Sequence, residues 1–232
     1  MTISPHTNII NYNYLRTIFL VKRAIVDYSL FYDSGLMQEG STTMYDLGTV
    51  VLETQRLILR PFRLSDAEDM HRNWASNPNV TKFLGWPLHD SPKASEKIIA
   101  EWIENYKDVR YYDWCIEYKG NHQAIGSMGV VNRNENTKSV EIGYCIGEDY
   151  WFQGLTAEAL REIVRFLFEE VGVNRIEARH DTKNPNSGKV MKKAGLRYEG
   201  TLIEGGFNNI GICDLSILGL TRRMYDASGM PQ

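Results

Sequence analysis

The clearest pattern in the chain is a change of hydrophobic period between residues 140 and 171. From Val140 to Ile146, apolar residues alternate with polar or small ones, which is the two-residue period of a strand. From Ala157 to Val171, apolar residues recur every three or four positions with charged residues between them, and Gly172 is placed to end an amphipathic helix. The pattern therefore predicts a strand, a short loop and a helix, in that order.

The loop between this strand and this helix is a candidate anion site. Its residues are Trp151, Phe152, Gln153, Gly154, Leu155 and Thr156. They supply consecutive backbone N–H groups at a helix start, where unpaired donors and the helix dipole favour an anion such as a pyrophosphate. The loop lacks both G-x-G-x-x-G and G-x-x-x-x-G-K-[ST], so a dinucleotide or ATP site is not indicated. An ordinary strand-to-helix turn is the alternative interpretation of these residues alone.

Similar periods elsewhere predict further strands and helices. Ser65 with Glu68 predicts a capping box at a helix start, and Ser91 before a proline predicts the start of a second helix. Asn184 before a proline predicts a short helix that ends near Gly195. The segments predicted as strands are 52–62, 114–118, 124–131, 140–146, 175–180, 198–202 and 214–220.

Residues 1–48 differ in character from the rest, with few charges and no capped helix. Their most apolar part, 15–32, is too short and too charged for a membrane span, and no cleavage site of a signal peptide follows it. We interpret this extension as an appendage without catalytic consequence or a misassigned start codon; a packing or partner-binding segment is the alternative. The expected organisation is an extension over 1–48, a folded domain over 49–225 and a tail over 226–232.

Composition is that of a soluble globular protein. The 232 residues are 43% hydrophobic and 24% charged, which suits one substantial core. A net charge of −3 argues against a general nucleic-acid clamp, which needs a basic excess. Cys115, Cys145 and Cys213 lie far apart, so neither a zinc site nor a disulfide framework is indicated, and a cytoplasmic compartment is expected. No spacing suggests a metal, and His71 and His180 are interpreted as structural.

The segment YWFQGLTAEAL resembles the acetyl-CoA loop of the GNAT superfamily of N-acetyltransferases, and within it most closely the branch that acetylates ribosomal-protein N-termini. Trp151 stands where the superfamily has Arg or Gln, Phe152 replaces a usual Gly, and Thr156 replaces Gly or Ala. The family contacts the pyrophosphate mainly through backbone N–H groups. These changes therefore bear on the shape of the loop more than on its ligand chemistry.

A second motif further along the chain resembles the other half of the family's cofactor site. The family pattern is N-x-x-S followed by K-x-G-F, and here Asn184 and Ser187 precede Lys193 and Gly195. Alone, this motif is nothing more than a helix N-terminus. The resemblance covers about residues 50–222. It implies an α/β (α+β) GNAT fold, with a mixed, mostly antiparallel central sheet, flanking helices and parted central strands.

The resemblance implies direct attack of an amine on the thioester of acetyl-CoA, bound as a cosubstrate and without a metal. Backbone N–H groups around Cys145 and Ile146 are expected to stabilise the tetrahedral oxygen. Many relatives protonate the departing thiolate with a Tyr on the short helix. Here Met191 matches that position and has no proton to give, so Ser187 is the expected acid.

The base is left open by the sequence. The ribosomal branch uses a Glu between its last two strands, and ungapped matching places Gly206 there. Glu141 and Glu204 are the candidates to act through a water, with bulk solvent as the alternative. The residues expected to bind the cofactor are Cys145, Ile146, Trp151, Phe152, Gln153, Gly154, Leu155, Thr156, Ala157, Asn184, Ser187, Lys189 and Lys192.

The expected function is therefore acetyl transfer to a primary amine, most readily a protein N-terminal α-amine of the ribosomal-protein type. A small-molecule, antibiotic or polyamine acetyltransferase is an alternative, because loops that the motifs do not constrain build the acceptor cleft. A non-catalytic acyl-CoA-binding module is the alternative from another class. Neither nucleic acid nor membrane is expected as a partner, and a homodimer is left open.

Overall fold

The structure, a computed structural model, describes residues 44–229. The apolar segment 15–32 lies outside the described residues, so its interpretation stays a prediction, as does the domain boundary near residue 48. Within 44–229, no helix combines the length and the apolar character that crossing a bilayer requires.

The described chain is built on one eight-stranded sheet with the strand order β1-β2-β3-β4-β5-β6-β8-β7. Neighbouring strands are antiparallel except for β5 and β6, which are parallel. This confirms the mixed, mostly antiparallel sheet that the resemblance implied. The strands are β1 Leu52–Glu53, β2 Leu57–Arg60, β3 Asp113–Tyr118, β4 Gln123–Asn134, β5 Ser139–Ile146, β6 Arg175–Asp181, β7 Arg197–Asn208 and β8 Gly211–Thr221.

Helices cover both faces of the sheet. The α-helices are α1 Ala67–Met70, α2 Pro78–Thr81, α3 Pro92–Asn105, α4 Leu155–Phe166, α5 Pro185–Lys193 and α6 Arg222–Ala227. A 3₁₀ turn, Leu64–Asp66, precedes α1, and π-helical turns extend α1 over His71–Ala75 and α4 over Leu167–Val171. Another 3₁₀ turn, Glu148–Tyr150, lies between β5 and α4.

The alternation within strands explains how one sheet serves two apolar clusters. In β3, Trp114 and Ile116 pack in the cluster that contains α4 and α6, whereas Cys115 packs in the cluster that contains α1 and α3. The apolar stripe of α4 is buried in the first cluster, as its period predicts. Gly172 ends the helical segment in the left-handed conformation, with a φ of 81°.

The central parallel pair is short, and it opens the sheet. β5 pairs with β6 only through residues 139–141, which face residues 175–177. Beyond that point residues 142–146 pair with β4 alone, while β6 continues along β8 as far as Asp181. The edge of β5 that faces β6 therefore has no strand partner over residues 142–146. These are the parted central strands that the resemblance implied.

Two local predictions are wrong. The predicted strand 52–62 is a hairpin of β1 and β2, closed by a turn in which the Thr54 N–H donates to the Leu57 carbonyl (3.0 Å). The predicted capping box of Ser65 and Glu68 does not form, because the helical stretch begins at Leu64. There Asp66 accepts a hydrogen bond from the Arg63 N–H (2.7 Å) and also binds the buried Arg60.

The last strands are longer than predicted. β7 extends through Asn208, and its pairing with β8 jumps from Leu202 to Gly206. Residues 203–205 form an irregular bulge in which Glu204 has a positive φ of 50°. Because the bulge breaks the two-residue alternation, the sequence pattern ends at 202 although the strand continues.

Candidate active site

The loop before α4 presents unpaired backbone donors. Gly154 is the N-cap of α4 with a φ of 79°, a conformation that glycine adopts without strain. The first hydrogen bond of the helix runs from the Glu158 N–H to the Gly154 carbonyl (3.0 Å). The helix therefore leaves the N–H groups of Leu155, Thr156 and Ala157 without an intrahelical partner, at the positive end of its dipole.

The first turn of α4 is anchored to the β1–β2 hairpin. Glu158 accepts hydrogen bonds from the Thr54 hydroxyl (2.6 Å), the Arg56 N–H (2.9 Å) and the Arg56 guanidinium (2.8 Å). Arg56 also donates to the carbonyl of Gln153 (3.0 Å). Burial raises the pKa of Glu158, but the hydrogen bonds from Thr54 and Arg56 outweigh it and lower the pKa below its ordinary value. The carboxylate thus fixes the helix start that carries the free N–H groups.

The two aromatic residues of the loop have different surroundings. The Trp151 indole donates to the carbonyl of Ile146 (3.0 Å) and so ties the loop to the end of β5. Phe152 adopts a left-handed backbone with a φ of 62°, and its side chain is 86% exposed. A left-handed position explains why relatives have Gly there, because a residue with a Cβ is strained in that conformation.

Between the parted strands lies a cavity of about 320 Å³, within the size range of small-molecule sites. Its walls are the open end of β5, the loop before α4, the end of β6, the start of α5 and residues 78–86. Residues 78–86 comprise α2 and the turn that follows it, and we call them the α2 segment. The lining residues are Val80, Phe83, Leu84, Tyr144, Cys145, Ile146, Tyr150, Trp151, Phe152, Gly154, Thr156, Ala157, Arg179, His180, Asp181, Asn184, Asn186, Ser187, Lys189, Val190 and Lys193.

Ser187 is hydrogen-bonded to a tyrosine inside the gap. The Tyr144 hydroxyl lies 2.9 Å from Ser187 Oγ and donates to the Ser187 carbonyl (3.0 Å). Burial raises the pKa of Tyr144 well above its ordinary value, and the hydrogen bond with Ser187 offsets this only in part. A protonated hydroxyl pair therefore stands between β5 and α5. In the sequence pattern, Tyr144 occupies an apolar strand position. Only the parting of β5 and β6 in the structure shows that its hydroxyl lies in the gap.

Most of the residues predicted to bind the cofactor line this cavity, but three do not. The Leu155 side chain is buried in the core, so only its N–H belongs to the loop edge. The Gln153 side chain donates to the carbonyl of Asp149 (2.8 Å). Lys193, rather than Lys192, joins Lys189 in the lining. The predicted residues that line the cavity are Cys145, Ile146, Trp151, Phe152, Gly154, Thr156, Ala157, Asn184, Ser187 and Lys189.

The two predicted base candidates lie outside the lining formed by the described residues. Glu141 sits in the paired part of β5, 3.5 Å from Arg179; burial raises its pKa, and Arg179 offsets this only in part. Glu204 is exposed on the bulge of β7. At Gly206, an added Cβ would lie 2.6 Å from the Leu215 side chain, so a glutamate at this position would require Leu215 to move.

The residues at the end of β6 are additional polar groups in the cavity, and the sequence did not identify them as functional. Asp181 is 4% exposed and accepts hydrogen bonds from the Asn208 side chain (2.7 Å) and the Lys183 N–H (2.8 Å). His180 Nδ1 donates to the carbonyl of Asp181 (2.8 Å), and its Nε2 packs against Gly188. The available signal was their position at the end of a strand that borders the predicted gap.

The turn between β7 and β8 is fixed to residues 81–86, and this segment contributes Phe83 and Leu84 to the cavity lining. The Asn209 side chain donates to the carbonyls of Thr81 (2.9 Å) and Trp86 (2.7 Å), and its N–H donates to the carbonyl of Leu84 (3.2 Å). Phe83 and Leu84 then form an apolar wall opposite the loop before α4. This side of the cavity is therefore built by segments far apart in the chain.

The described residues contain no group of three or more His, Cys, Asp or Glu side chains that could hold a metal ion. Their cysteines, Cys115, Cys145 and Cys213, are buried and unpaired by disulfides. Cys145 lies beside the gap, where burial raises the pKa of its thiol to about 11. At neutral pH this thiol is protonated and a poor nucleophile.

Comparison with known proteins gives a consistent family. Residues 56–197 match the family model described as an acetyltransferase (GNAT) domain. The uncharacterized N-acetyltransferase YoaA of Bacillus subtilis is 29% identical over 172 residues, which are 74% of this chain and 97% of YoaA.

Solved structures share the fold. The ribosomal-protein-S5-alanine acetyltransferase of Vibrio fischeri superposes with a TM-score of 0.67 at 19% identity, over 75% of this chain and 97% of that one. The microcin C7 self-immunity acetyltransferase MccE, solved in complex with acetyl-CoA and AMP, superposes with a TM-score of 0.65 at 19% identity, over 72% of this chain and 93% of that one.

Proposed function

The chain belongs to the GNAT family of N-acetyltransferases, and from this premise we propose that it transfers the acetyl group of acetyl-CoA to a protein N-terminal α-amine of the ribosomal-protein type. The observation that carries the proposal is the gap between β5 and β6. It has free helix N–H groups on one wall and the Ser187–Tyr144 hydroxyl pair on another. Residues 49–225 would carry this activity.

The polar and charged groups of the cavity suit the phosphates and the thioester of acetyl-CoA. The N–H groups of Leu155, Thr156 and Ala157 are donors for a diphosphate at a helix start. Lys189 and Lys193 lie in the same lining and supply positive charge for phosphate groups. The open edge of β5 near Cys145 and Ile146 can receive the thioester arm and offer N–H groups to the tetrahedral oxygen.

If the acceptor is an α-amine, the reaction requires little base catalysis from the protein. An α-amine has a pKa of about 7.7–8.0 and is neutral for roughly a tenth of the time at pH 7, whereas a lysine amine with a pKa of about 10.4 is almost fully protonated. The neutral amine attacks the thioester carbon and the C–S bond breaks. Ser187, supported by Tyr144, is the proposed proton donor to the thiolate.

The proposal of a ribosomal-type acceptor rests on the acetyltransferase of Vibrio fischeri that shares the fold and acts on ribosomal protein S5, as its name states. Glu141 and Glu204 stay as proposed bases acting through water. Replacing each by Gln and following the rate against pH tests them. Two unchanged pH profiles would exclude both.

A small amine is the second candidate acceptor. Asn209 holds the β7–β8 turn against residues 81–86, which we propose as the acceptor side of the cavity, and a fixed wall there suits a small acceptor. Labelled acetyl-CoA with a panel of N-terminal peptides and small amines separates the two. Label on peptide α-amines supports the proposal. Label on small amines alone would overturn the protein substrate, and coenzyme A binding without any turnover would overturn both.

A further inference from the structure

We propose that Asp181 is the group that receives the acceptor: its carboxylate holds the incoming ammonium in the gap and takes the first proton from it. This inference rests on the proposed function, because it assigns a residue to the amine side of the same cavity. It replaces neither Ser187 nor Tyr144, which stand on the thiolate side.

The position of Asp181 in the fold points to this role. It is the last residue of β6, at the end of the strand that borders the gap opposite β5. It lines the same cavity as Tyr144 and Ser187, and it is 4% exposed. A charged group at this depth meets the contents of the cavity rather than bulk water.

Asp181 is buried without an ion-pair partner among the described residues. The other buried carboxylates there, Asp66 and Glu117, share the guanidinium of Arg60 (2.8 and 2.5 Å). The hydrogen bonds to Asp181 come from neutral donors, which are the Asn208 amide, a backbone N–H and the Cys213 thiol. Burying a carboxylate without a cation is costly, so a site with such a group is built to receive a cation from elsewhere.

The carboxylate keeps the capacity to bind one. Its Oδ2 accepts from the Asn208 amide and its Oδ1 from the Lys183 backbone N–H. With the Cys213 thiol as a third donor, the two oxygens still have a lone pair to offer. The Asn208 amide lies on β7, next to the turn that Asn209 fixes to the α2 segment. Closure of the acceptor side and orientation of the Asp181 carboxylate therefore depend on the same two neighbouring residues.

The other acid and base groups nearby lie outside the cavity lining or are less buried than Asp181. Glu141 pairs with Arg179 in the closed part of the sheet, and Glu204 is exposed on the bulge. The Nδ1 of His180 donates to a carbonyl, and its Nε2 packs against Gly188, where an added Cβ would lie 2.5 Å away. Among these groups, Asp181 alone combines a free hydrogen-bonding lone pair, burial and a place in the cavity lining.

The acceptor enters as an ammonium and gives one proton to Asp181, which becomes a neutral carboxylic acid. The nitrogen lone pair attacks the thioester carbon, the N–C bond forms and the C–S bond breaks. The nitrogen then gives its second proton to water, Ser187 gives its hydroxyl proton to the thiolate, and Ser187 recovers a proton from water. Asp181 returns its proton to solvent, so one amide, one thiol and one free proton result.

Two coenzyme A thioethers test the ammonium site without turnover. S-(2-aminoethyl)-coenzyme A carries an ammonium at the end of a short ethylene arm on the sulfur. S-propyl-coenzyme A has an arm of the same shape without a charge. We expect calorimetry at pH 7 to give about tenfold tighter binding of the aminoethyl compound to the wild type, the size of a hydrogen bond to a charged group. In Asp181→Asn the preference should vanish while S-propyl-coenzyme A binds unchanged.

The controls separate failure of this inference from failure of the proposed function. Asp214→Asn changes a neighbouring carboxylate that lies outside the lining, and it should keep the preference. Equal binding of both thioethers to the wild type, or an unchanged preference in Asp181→Asn, would overturn the role of Asp181 and leave the coenzyme A site standing. Binding of neither thioether would instead overturn the proposed function.

Kinetics supply a second test that a merely structural role would not pass. With an acceptor from the amine panel, Asp181→Asn should lose about 100-fold in rate at pH 7 and recover part of it at pH 9, where the amine is neutral unaided. The titratable groups around Asp181 are His180, Lys183, Cys213 and Asp214, all of which the variant keeps. An equal loss at both pH values would contradict proton transfer to Asp181.

Discussion

The two sides of the gap are built in opposite ways. The cofactor side consists of residues 151–158 and α5. Within each of these two segments, the groups that would contact the ligand are close together in the sequence. The side that we propose for the acceptor brings residues 81–86 against the β7–β8 turn at Asn208 and Asn209, across more than half of the described chain. A motif of neighbouring residues can be kept while the rest of the sequence changes. A site assembled from distant loops can change whenever one of those loops changes. The contrast explains how one fold serves one cosubstrate and many acceptors.

The irregular end of the sheet belongs to the acceptor side. The bulge between Leu202 and Gly206 leaves Ile203 and Phe207 about three-quarters exposed. On the cofactor side, by contrast, the side chain of Glu158 has several hydrogen bonds to the β1–β2 hairpin. We therefore expect substitutions on the cofactor side to change stability and acetyl-CoA binding, and substitutions on the acceptor side to change the acceptor alone.

Ser187→Ala should have the largest effect, because it removes the proposed proton donor from the boundary between the two sides. We expect kcat to fall about 100-fold with the affinity for acetyl-CoA unchanged. Steady-state kinetics and calorimetry measure the two quantities. Tyr144→Phe keeps the ring and removes only the hydroxyl that supports Ser187, so it should lose about tenfold in kcat. Full activity in Ser187→Ala would exclude it as the acid.

Glu158→Ala should damage the cofactor side. It removes the hydrogen bonds from Thr54 and Arg56 that hold the start of α4, and we expect a loss of about 2 kcal/mol in the free energy of unfolding. Acetyl-CoA should bind roughly tenfold more weakly, since the N–H groups lose their fixed orientation. Glu162→Ala, on the same helix, is the matched control and should leave acetyl-CoA binding unchanged. Equal behaviour of the two variants would contradict the anchoring role.

The same carboxylate predicts a pH dependence. Hydrogen bonds outweigh burial and hold the folded-state pKa of Glu158 below its unfolded value. Its stabilisation is therefore complete above the unfolded pKa of about 4.3 and is lost as the pH falls through the folded pKa. Urea unfolding of the wild type and Glu158→Gln should differ more at pH 7 than at pH 4. A difference that grows toward pH 4 would have the wrong sign for this account.

Asn209→Ala should affect the acceptor side alone. It removes the side-chain hydrogen bonds to the carbonyls of Thr81 and Trp86, so the β7–β8 turn is held less firmly against the α2 segment. We expect the KM for the acceptor to rise about fivefold and the KM for acetyl-CoA to stay constant. Asn136→Ala, at an exposed position in the β4–β5 turn, is the control. A rise in the KM for acetyl-CoA would contradict the claim that the two sides of the gap act independently.

Phe152→Gly should give the smallest effect, and a favourable one. The left-handed backbone at Phe152 is strained by its Cβ, so Gly should stabilise the fold by about 0.5 kcal/mol after its own entropy cost. Phe152→Ala keeps the Cβ and should show no such gain. Denaturant unfolding compares the variants. A destabilised Phe152→Gly would mean that the exposed ring contributes to the fold.

The cofactor side was largely predictable from sequence because its signals are local. The change of period at Gly154, the left-handed cap at Gly172 and the Asn184–Pro185 helix start depend on neighbouring residues, and the structure has the corresponding elements. Local pattern was insufficient where a tertiary contact overrode it. Buried Arg60 recruits Asp66, and the helix therefore starts before the predicted capping box.

The acceptor side could not be predicted because its residues meet only through the sheet order. No pattern along the chain brings Asp181 to Asn208, since the strand order β6-β8-β7 makes this contact. Tyr144 resembles any apolar strand residue until β5 and β6 part beside it. The bulge at residues 203–205 is also invisible to the sequence pattern, and it lies directly before Gly206, which ungapped matching places at the position of the glutamate of the ribosomal branch.

A crystal structure of the protein with acetyl-CoA bound tests the central claim most directly. The account predicts diphosphate oxygens on the N–H groups of residues 155–157. It also predicts a thioester between β5 and β6, with its sulfur within roughly 3.5 Å of Ser187 Oγ. A diphosphate bound elsewhere, or a Ser187 hydroxyl that points away from the sulfur, would contradict it.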